Sequence, residues 1–354
     1  MSSADAALDP ARPRVLIAGA GVAGLETVLA LRALASDRLD VTILASELKF
    51  INLSMSVDQP FKPQRVRGLR LQDTAAELGA RWHHGALDRV EPERNRVITS
   101  DGDEVRYDML VLTLGAHTEQ EWHSPNVLTY HGGRDSPNYR LLLHQLQEQR
   151  VNKVAFVKPV GPSWPLPLYD LAFLTAANGA AQGRSGIELS LVTPEEEPLG
   201  IFGTPASAAI RRLLDESGVT LHTSSSGTPG HSGWLDITPG DRRVSVDRIV
   251  TVPRLVGPRL RGIACEYDGF IATDAHGRLP RLDGRVRRGG RDVLSGQAGW
   301  PGRPAGRRRR RDDCCRGGRR HRTAALQADP AWAAADRRAP SLFRFRGGHQ
   351  RQRR

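Results

Sequence analysis

One hexapeptide restricts the fold of this 354-residue chain more than any other part of it. In "RVLIAGAGVAGLETVLALRAL" a buried strand over Val15 to Ala18 runs into Gly19-Ala20-Gly21-Val22-Ala23-Gly24. A helix with apolar residues at helical spacing then continues through Leu34, and "LDVTILAS" supplies a second strand. Strand, glycine turn, helix and strand in this order make a parallel βαβ unit, and the turn has the G-x-G-x-x-G spacing of a dinucleotide site. Gly19 permits the tight turn, Gly21 lets backbone approach a pyrophosphate, and Gly24 lets the helix pack closely on the strand. The helix N-terminus adds unpaired N–H groups and the positive end of its dipole. Such units place an acid about twenty residues on, against a ribose hydroxyl. Glu47 is the nearest carboxylate after the second strand and reads equally as that contact or as a solvated loop acid.

The net charge of +12 would suggest a polyanionic partner if it were spread over the chain. It is not. From Arg285 to Arg354 there are 21 arginines, no lysine and five acids, a charge of +16, so the preceding part is mildly acidic at −4. Residues 1–12 read as a disordered lead, and 13–284 suffice for one large or two medium domains. No apolar run approaches the roughly 20 residues of a membrane-spanning helix, and the N-terminus lacks the pattern of a secretion signal, so the expected location is cytoplasmic, with peripheral membrane contact open. Cys265 is the single cysteine before residue 285, which excludes a disulfide framework or a CxxC pair there. It reads as structural or incidental. His83-His84 lie on alternating faces of a strand with no partner at ligand spacing, so no metal site is expected. The acids of "PEEEP", Pro194 to Pro198, read as a solvated loop.

"NRVITSDGDEVRYDMLVLTLGAHT" is a β-hairpin turning at Asp101-Gly102 and feeding an apolar strand from Met109. Its end, Thr113-Leu114-Gly115-Ala116, is similar to the short ATGA-like motif beside the FAD of two-dinucleotide-domain flavoproteins. "VNKVAFVKPVGPSWPLPLYDLAFLTAANGAA" then repeats the grammar of a domain start: a strand over Lys153 to Val157, a loop, and a helix from about Pro167 to Ala177. Strands at "IELSLVTP" and "VTLHTS" flank a further helix, "PASAAIRRLLDESG". Where a second fingerprint would stand, the chain has Pro159-Val160-Gly161-Pro162-Ser163-Trp164-Pro165. Three prolines remove N–H donors and Trp164 blocks phosphate approach, so a nicotinamide nucleotide bound in the standard way is not expected.

The order of these motifs resembles the pyridine-nucleotide-disulfide oxidoreductase superfamily, over about residues 14 to 284. Within it, "LVTPEEEPLGIFGTPASAAIRRLLDESGV" is similar to the sulfide:quinone oxidoreductase and flavocytochrome-c sulfide dehydrogenase branch. The resemblance implies an α/β, two-dinucleotide-binding-domain, Rossmann-like flavoprotein: a three-layer FAD domain over 13–122 and 253–284, with a second α/β domain inserted over 123–252. It implies FAD held by Gly19 to Gly24 and by Thr113, Leu114 and Gly115, leaves NAD(P)H open, and implies a small-molecule redox substrate with a quinone as acceptor. Where that branch has a cysteine beside the flavin, ahead of a Tyr-acid pair, this chain has Ser163-Trp164 ahead of Tyr169-Asp170. Sulfide is therefore dropped as substrate, and the catalytic residues stay unassigned. Trp164 reads equally as a flavin-stacking residue or as domain-interface packing.

After "DGFIATDAHGRLPRLDG" the superfamily leads one to expect a strand of the kind "VYAAGDAT", whose Gly-Asp reaches the flavin. The chain reads "RVRRGGRDVLSGQAGW" instead. With codons chosen from a GC-rich gene, the same bases read one position later give A-S-A-A-G-D-V-T-S-F-P-V-K-Q-G-G, which contains the absent A-G-D. CGN arginine codons shifted in this way begin GN and yield Ala, Gly, Val, Asp or Glu. The expectation is that residues 285–354 are an out-of-frame, disordered tail. The alternative is a flavin-fold binding protein with a basic nucleic-acid-binding arm, but the tail has no lysine, two adjacent cysteines, scattered tryptophans and no periodicity.

Overall fold

The structure is a computed structural model, and it describes residues 12–52, 56–62, 68–231, 233–274, 277–279 and 293–295. Its first half is built on a parallel sheet. Strand β1 (Arg14–Ala18) leads into helix α1 (Val22–Ala35), which returns the chain to β2 (Asp40–Ala45). A two-residue hairpin, β3 (Lys49–Phe50) with β4 (Leu69–Arg70), precedes α2 (Leu71–Glu77) and β5 (Arg81–His84). Then come β6 (Leu87–Glu91), β7 (Arg96–Thr99) and β8 (Glu104–Arg106), an antiparallel three-stranded sheet, and β9 (Met109–Leu112).

β9, β1, β2 and β5 lie side by side in that order, all parallel. Successive strand side chains face opposite ways, and both faces of this sheet are covered, which is why β1 and β9 are almost wholly apolar. Val15, Ile17 and Val111 join Val28 of α1 and Leu71 and Ala75 of α2 on one side. Leu16, Ala18, Leu110 and Leu112 join Val90, Val97 and Tyr107 of the antiparallel layer on the other. The result is three layers: helices, parallel sheet and antiparallel sheet.

Strand β10 (His117–Glu119) carries the chain out to a second sheet that repeats the plan. β11 (Val127–Thr129), α3 (Ser136–Gln147), β12 (Lys153–Val157), α4 (Leu166–Ala181), β13 (Glu188–Val192), α5 (Thr204–Glu216) and β14 (Val219–His222) follow in turn. An antiparallel meander, β15 (Ser226–Pro229), β16 (Trp234–Thr238) and β17 (Arg242–Ser245), leads into β18 (Arg248–Thr251). The parallel strands stand in the order β11, β18, β12, β13, β14. Tyr139, Leu142, Leu168, Leu171 and Leu214 of the helices pack on Phe156 and Leu191 of the sheet, while Leu235, Ile237 and Val246 cover its other face against Ala155, Val157 and Ile249.

β19 (Arg254–Val256) brings the chain back by pairing antiparallel with β10. The returning segment is pinned to the first half where Val90 N–H donates to the Arg261 carbonyl at 2.9 Å. The out-of-frame tail expected over 285–354 lies outside the described residues, apart from β20 (Val293–Ser295), whose backbone pairs parallel with β9 and extends the first sheet at that edge.

Candidate functional site

In each parallel sheet the strand order reverses at one point, between β9 and β1 in the first and between β18 and β12 in the second. Crevices for ligands open beyond the carboxyl ends of the strands at such points. The two places are built alike. Gly19 N–H donates to the Leu44 carbonyl at 2.8 Å, and Lys158 N–H donates to the Val192 carbonyl at 2.9 Å. Thr113, one residue past β9, donates its hydroxyl to the carbonyl of Ala18 at 3.0 Å. Thr251, at the end of β18, donates its hydroxyl to the carbonyl of Val157 at 2.7 Å. Either threonine ties a strand end to its neighbour where the chain is about to leave the sheet.

In the first sheet the loop takes the glycine path. Gly19 has φ +111°, and a Cβ there would lie 2.2 Å from the Thr113 carbonyl oxygen. A Cβ on Gly24 would lie 2.1 Å from the Gly19 carbonyl oxygen and 3.1 Å from the Thr113 hydroxyl. The Thr113 hydroxyl also donates to the Gly19 carbonyl at 2.9 Å, so Gly19, Gly24 and Thr113 stand in close contact. Gly21 differs: nothing stands within 4 Å of the position its Cβ would take. It is the N-cap of α1, and the space before it is open to the helix's first-turn amides, those of Val22, Ala23 and Gly24. Ala20 is buried below the turn. Leu114 and Gly115 follow Thr113 out of the sheet, Gly115 at φ +72°. Glu47 is exposed two residues beyond β2.

In the second sheet the equivalent of Gly19 is Lys158, and the loop runs differently. Lys158 has no positive φ. It is 8 % exposed, and its ammonium donates to the carbonyls of Pro159 at 3.3 Å and Gly161 at 3.4 Å. Where a fingerprint loop presents N–H groups to a phosphate, these carbonyls point at an internal cation. Burial lowers the amine's pKa, partly offset by the charge of Glu195. Ser163 is fully buried, with no hydrogen-bond partner for its hydroxyl among the described residues. Trp164 meets Phe202 edge to face, with ring centroids 6.1 Å apart. Phe202 is itself exposed, as are Val160 in the same loop as Trp164 and Ile201 next to Phe202 in the chain.

The expectation that the "PEEEP" acids form a solvated loop fails for Glu195. Its Oε2 accepts the hydroxyls of Tyr169 and Thr193, each at 2.8 Å, because Tyr169 is buried at the start of α4 and its O–H has to find an acceptor. Burial, then the charge of Glu195, pushes the Tyr169 pKa well above its ordinary value, and burial raises the Asp170 carboxyl. Glu196 and Glu197 are exposed, the latter paired with Arg211 at 3.0 Å. No motif in the sequence marks Lys158, Thr193 or Thr251, and Glu195 stands in a run of acids whose composition points to solvent. The readable signal for them was positional, since Lys158 follows "VAFV" as Gly19 follows "VLIA", and Thr251 ends "RIVT" as Thr113 ends "LVLT".

The two sites are joined. The Pro162 carbonyl accepts the N–H of Leu255 in β19 at 2.8 Å, and β19 pairs with β10, which continues from Thr113 to Ala116. The loop carrying Ser163 and Trp164 therefore rests on the crossover beside the end of β9. Among the described residues no helix is long and apolar enough to cross a membrane.

No protein-family model matches this sequence, and neither does any curated protein. Solved structures do match. The chain is similar to the sulfide:quinone oxidoreductase of Aquifex aeolicus, with a TM-score of 0.68 at 18% identity over 80% of this chain and 68% of that one. It is also similar to NDH2 from Plasmodium falciparum in complex with NADH, with a TM-score of 0.57 at 13% identity over 80% and 63% of the two chains. A ferredoxin reductase from Rhodopseudomonas palustris gives a TM-score of 0.54 at 16% identity over 80% and 67%. The match to NDH2 spans less than two thirds of that protein. Two parallel sheets of repeated plan, joined by a paired crossover, give this chain the α/β, two-dinucleotide-binding-domain fold of these solved structures.

Proposed function

We propose that this chain is a FAD-dependent oxidoreductase with FAD lying across the carboxyl ends of β1 and β9. The observation that carries the reading is the contrast within one turn, where Gly19 and Gly24 are closed by contact with Thr113 and with each other while the space before Gly21 is empty. A turn needed only for packing has no use for a glycine at that position. Val22, Ala23 and Gly24 would offer first-turn N–H groups to a pyrophosphate there. Thr113, Leu114 and Gly115 would line the flavin side, and Glu47 the ribose. Bound FAD would supply hydride and electron transfer at a flavin ring.

The electron donor is a small molecule other than a nicotinamide nucleotide bound in the standard way. The place of the first glycine in the second sheet is filled by Lys158, whose ammonium occupies the loop interior, and three prolines thin out the donors around it. Sulfide is dropped because Ser163 offers a hydroxyl where a thiol would be needed, and Cys265 is exposed in the return segment. The acceptor is a quinone. The exposed apolar rim of Val160, Ile201 and Phe202 beside Trp164 suits a planar, lipophilic molecule, and the Aquifex aeolicus neighbour is named for a quinone.

FAD is held from one side only, because the reading frame departs near Gly284 and the Gly-Asp strand end expected after it is replaced by "RVRRGGRD". The purified chain then carries well under one FAD per molecule and takes up added FAD weakly. Titration with FAD, followed by quenching of flavin fluorescence, should saturate at one per chain and be competed by ADP. Absence of saturable uptake would refute the proposal. Sequencing the gene tests the frame separately: a single-base change has to restore an A-G-D reading.

A further inference from the structure

At the amino ends of β12 and β18, on the opposite side of the second sheet from Lys158, the linker 120–126 runs over a groove that the proposed redox chemistry does not use. Two adjoining hollows, of about 690 Å³ and 350 Å³, share Pro125, Asn126, Gln145 and Arg248. Both reach the size of small-molecule sites. The carboxylates here are already engaged. Asp247 Oδ2 accepts the N–H groups of Asn152 at 2.7 Å and Lys153 at 2.9 Å. Asp135 Oδ2 accepts the N–H of His131 at 2.7 Å and lies 3.2 Å from its Nδ1.

The basic side chains are not all engaged in the same way. Half-buried Arg248 donates to the Asp247 carbonyl at 3.3 Å, and among the described residues no carboxylate pairs with it or with His231. Arg150 is paired with Glu148 at 3.0 Å, and His131 with Asp135. We propose that this groove binds a small oxyanion, of the polycarboxylate or phosphate kind, between Arg248, His231 and the side-chain amides of Asn126 and Gln145. A guanidinium offers two parallel donors to such a group, and amides supply the remaining ones. The Asn126 carbonyl already accepts the N–H of Ile249 at 2.8 Å, so a ligand held here fastens the linker to β18. Because β10 leads directly into that linker, occupancy braces the crossover between the two sheets.

Calorimetric titration of the full chain with citrate, and separately with inorganic phosphate, at constant ionic strength tests the proposal. Saturable one-to-one binding is expected with at least one of them, and the stronger identifies the ligand kind. Arg248→Gln should weaken it roughly tenfold, the loss of a charge-assisted hydrogen bond, with an unchanged melting temperature. Arg308→Gln, in the arginine-rich stretch, should leave it unchanged. Non-saturable uptake, no binding of either anion, equal weakening by both substitutions or undiminished binding in Arg248→Gln would each overturn it.

Discussion

Gly21→Ala and Gly24→Ala, three residues apart, should fail in opposite ways. At Gly24 a Cβ would sit 2.1 Å from the Gly19 carbonyl oxygen, and carbon atoms do not approach closer than 3.0 Å, so α1 has to move off β1 by nearly an ångström. Overpacking of this kind costs about 1 to 3 kcal/mol, and a contact with backbone on both sides belongs at the upper end. Against a total stability of roughly 5 to 15 kcal/mol, that shift is plain in a urea midpoint. At Gly21 the new methyl enters open space, and φ −74° with ψ −170° is backbone that alanine adopts freely. Alanine is a poorer N-cap than glycine by some tenths of a kcal/mol, while the stiffer unfolded chain returns about 0.4 to 1 kcal/mol. The apo protein should therefore keep its stability to within about 0.5 kcal/mol. The same methyl stands where a pyrophosphate has to approach the backbone, so FAD affinity should fall at least tenfold, about 1.4 kcal/mol. Urea unfolding of the apo protein and fluorescence titration with FAD give both numbers. Equal destabilisation by the two substitutions, or Gly21→Ala binding FAD as the parent does, refutes the assignment of Gly21 to the cofactor.

Thr113→Val should lower stability by about 1 kcal/mol through loss of the hydroxyl held by Ala18 and Gly19, and Thr113→Ser should restore most of it in the same urea assay. Tyr107 is buried with no hydrogen-bond partner for its hydroxyl among the described residues, and burial pushes its pKa up to about 12. Its raised value gives stability that is present below pH 10 and lost as pH climbs from 10 to 12, so Tyr107→Phe should be neutral or stabilising at pH 7 and should remove roughly 2 to 3 kcal/mol of that alkaline loss. Lys158 titrates below its ordinary value, so the unfolded chain holds the extra proton and stability rises with pH up to about 10.5. The stability of the parent minus that of Lys158→Met should follow this rise; a flat difference counts against a charged, buried Lys158. A double-mutant cycle of Tyr169→Phe and Glu195→Gln should show a coupling of about 1 to 3 kcal/mol, measured by urea unfolding.

The fold class was legible because both parallel sheets announce themselves in the same way, as short apolar strands followed by a loop and a helix, and because "DG" fixes the hairpin before β9. The antiparallel meander over Ser226 to Ser245 was not. It contains Pro229, Gly230, Gly233 and Gly240, so turn-forming residues interrupt every run that periodicity could detect. Gly19 to Gly24 could be read directly, since Gly19 and Gly24 answer local steric demands and Gly21 completes the fingerprint spacing. Lys158, Glu195 and Thr251 could not, because what matters in each is a partner 26 or more residues away or a carbonyl that only the folded loop turns inward. The comparison of the two strand ends supplies what a motif search misses. Both sheets keep the threonine that ties neighbouring strands and the N–H that caps the next strand over; they differ in the loop that follows, beginning with Gly19 against Lys158. Glycine at φ +111° sends the first loop round an open space lined by amides, whereas lysine without a positive φ closes the second around its own ammonium. One backbone plan thus yields an open turn in the first sheet and a filled loop in the second, and the residue at the first loop position is the first point at which the two diverge.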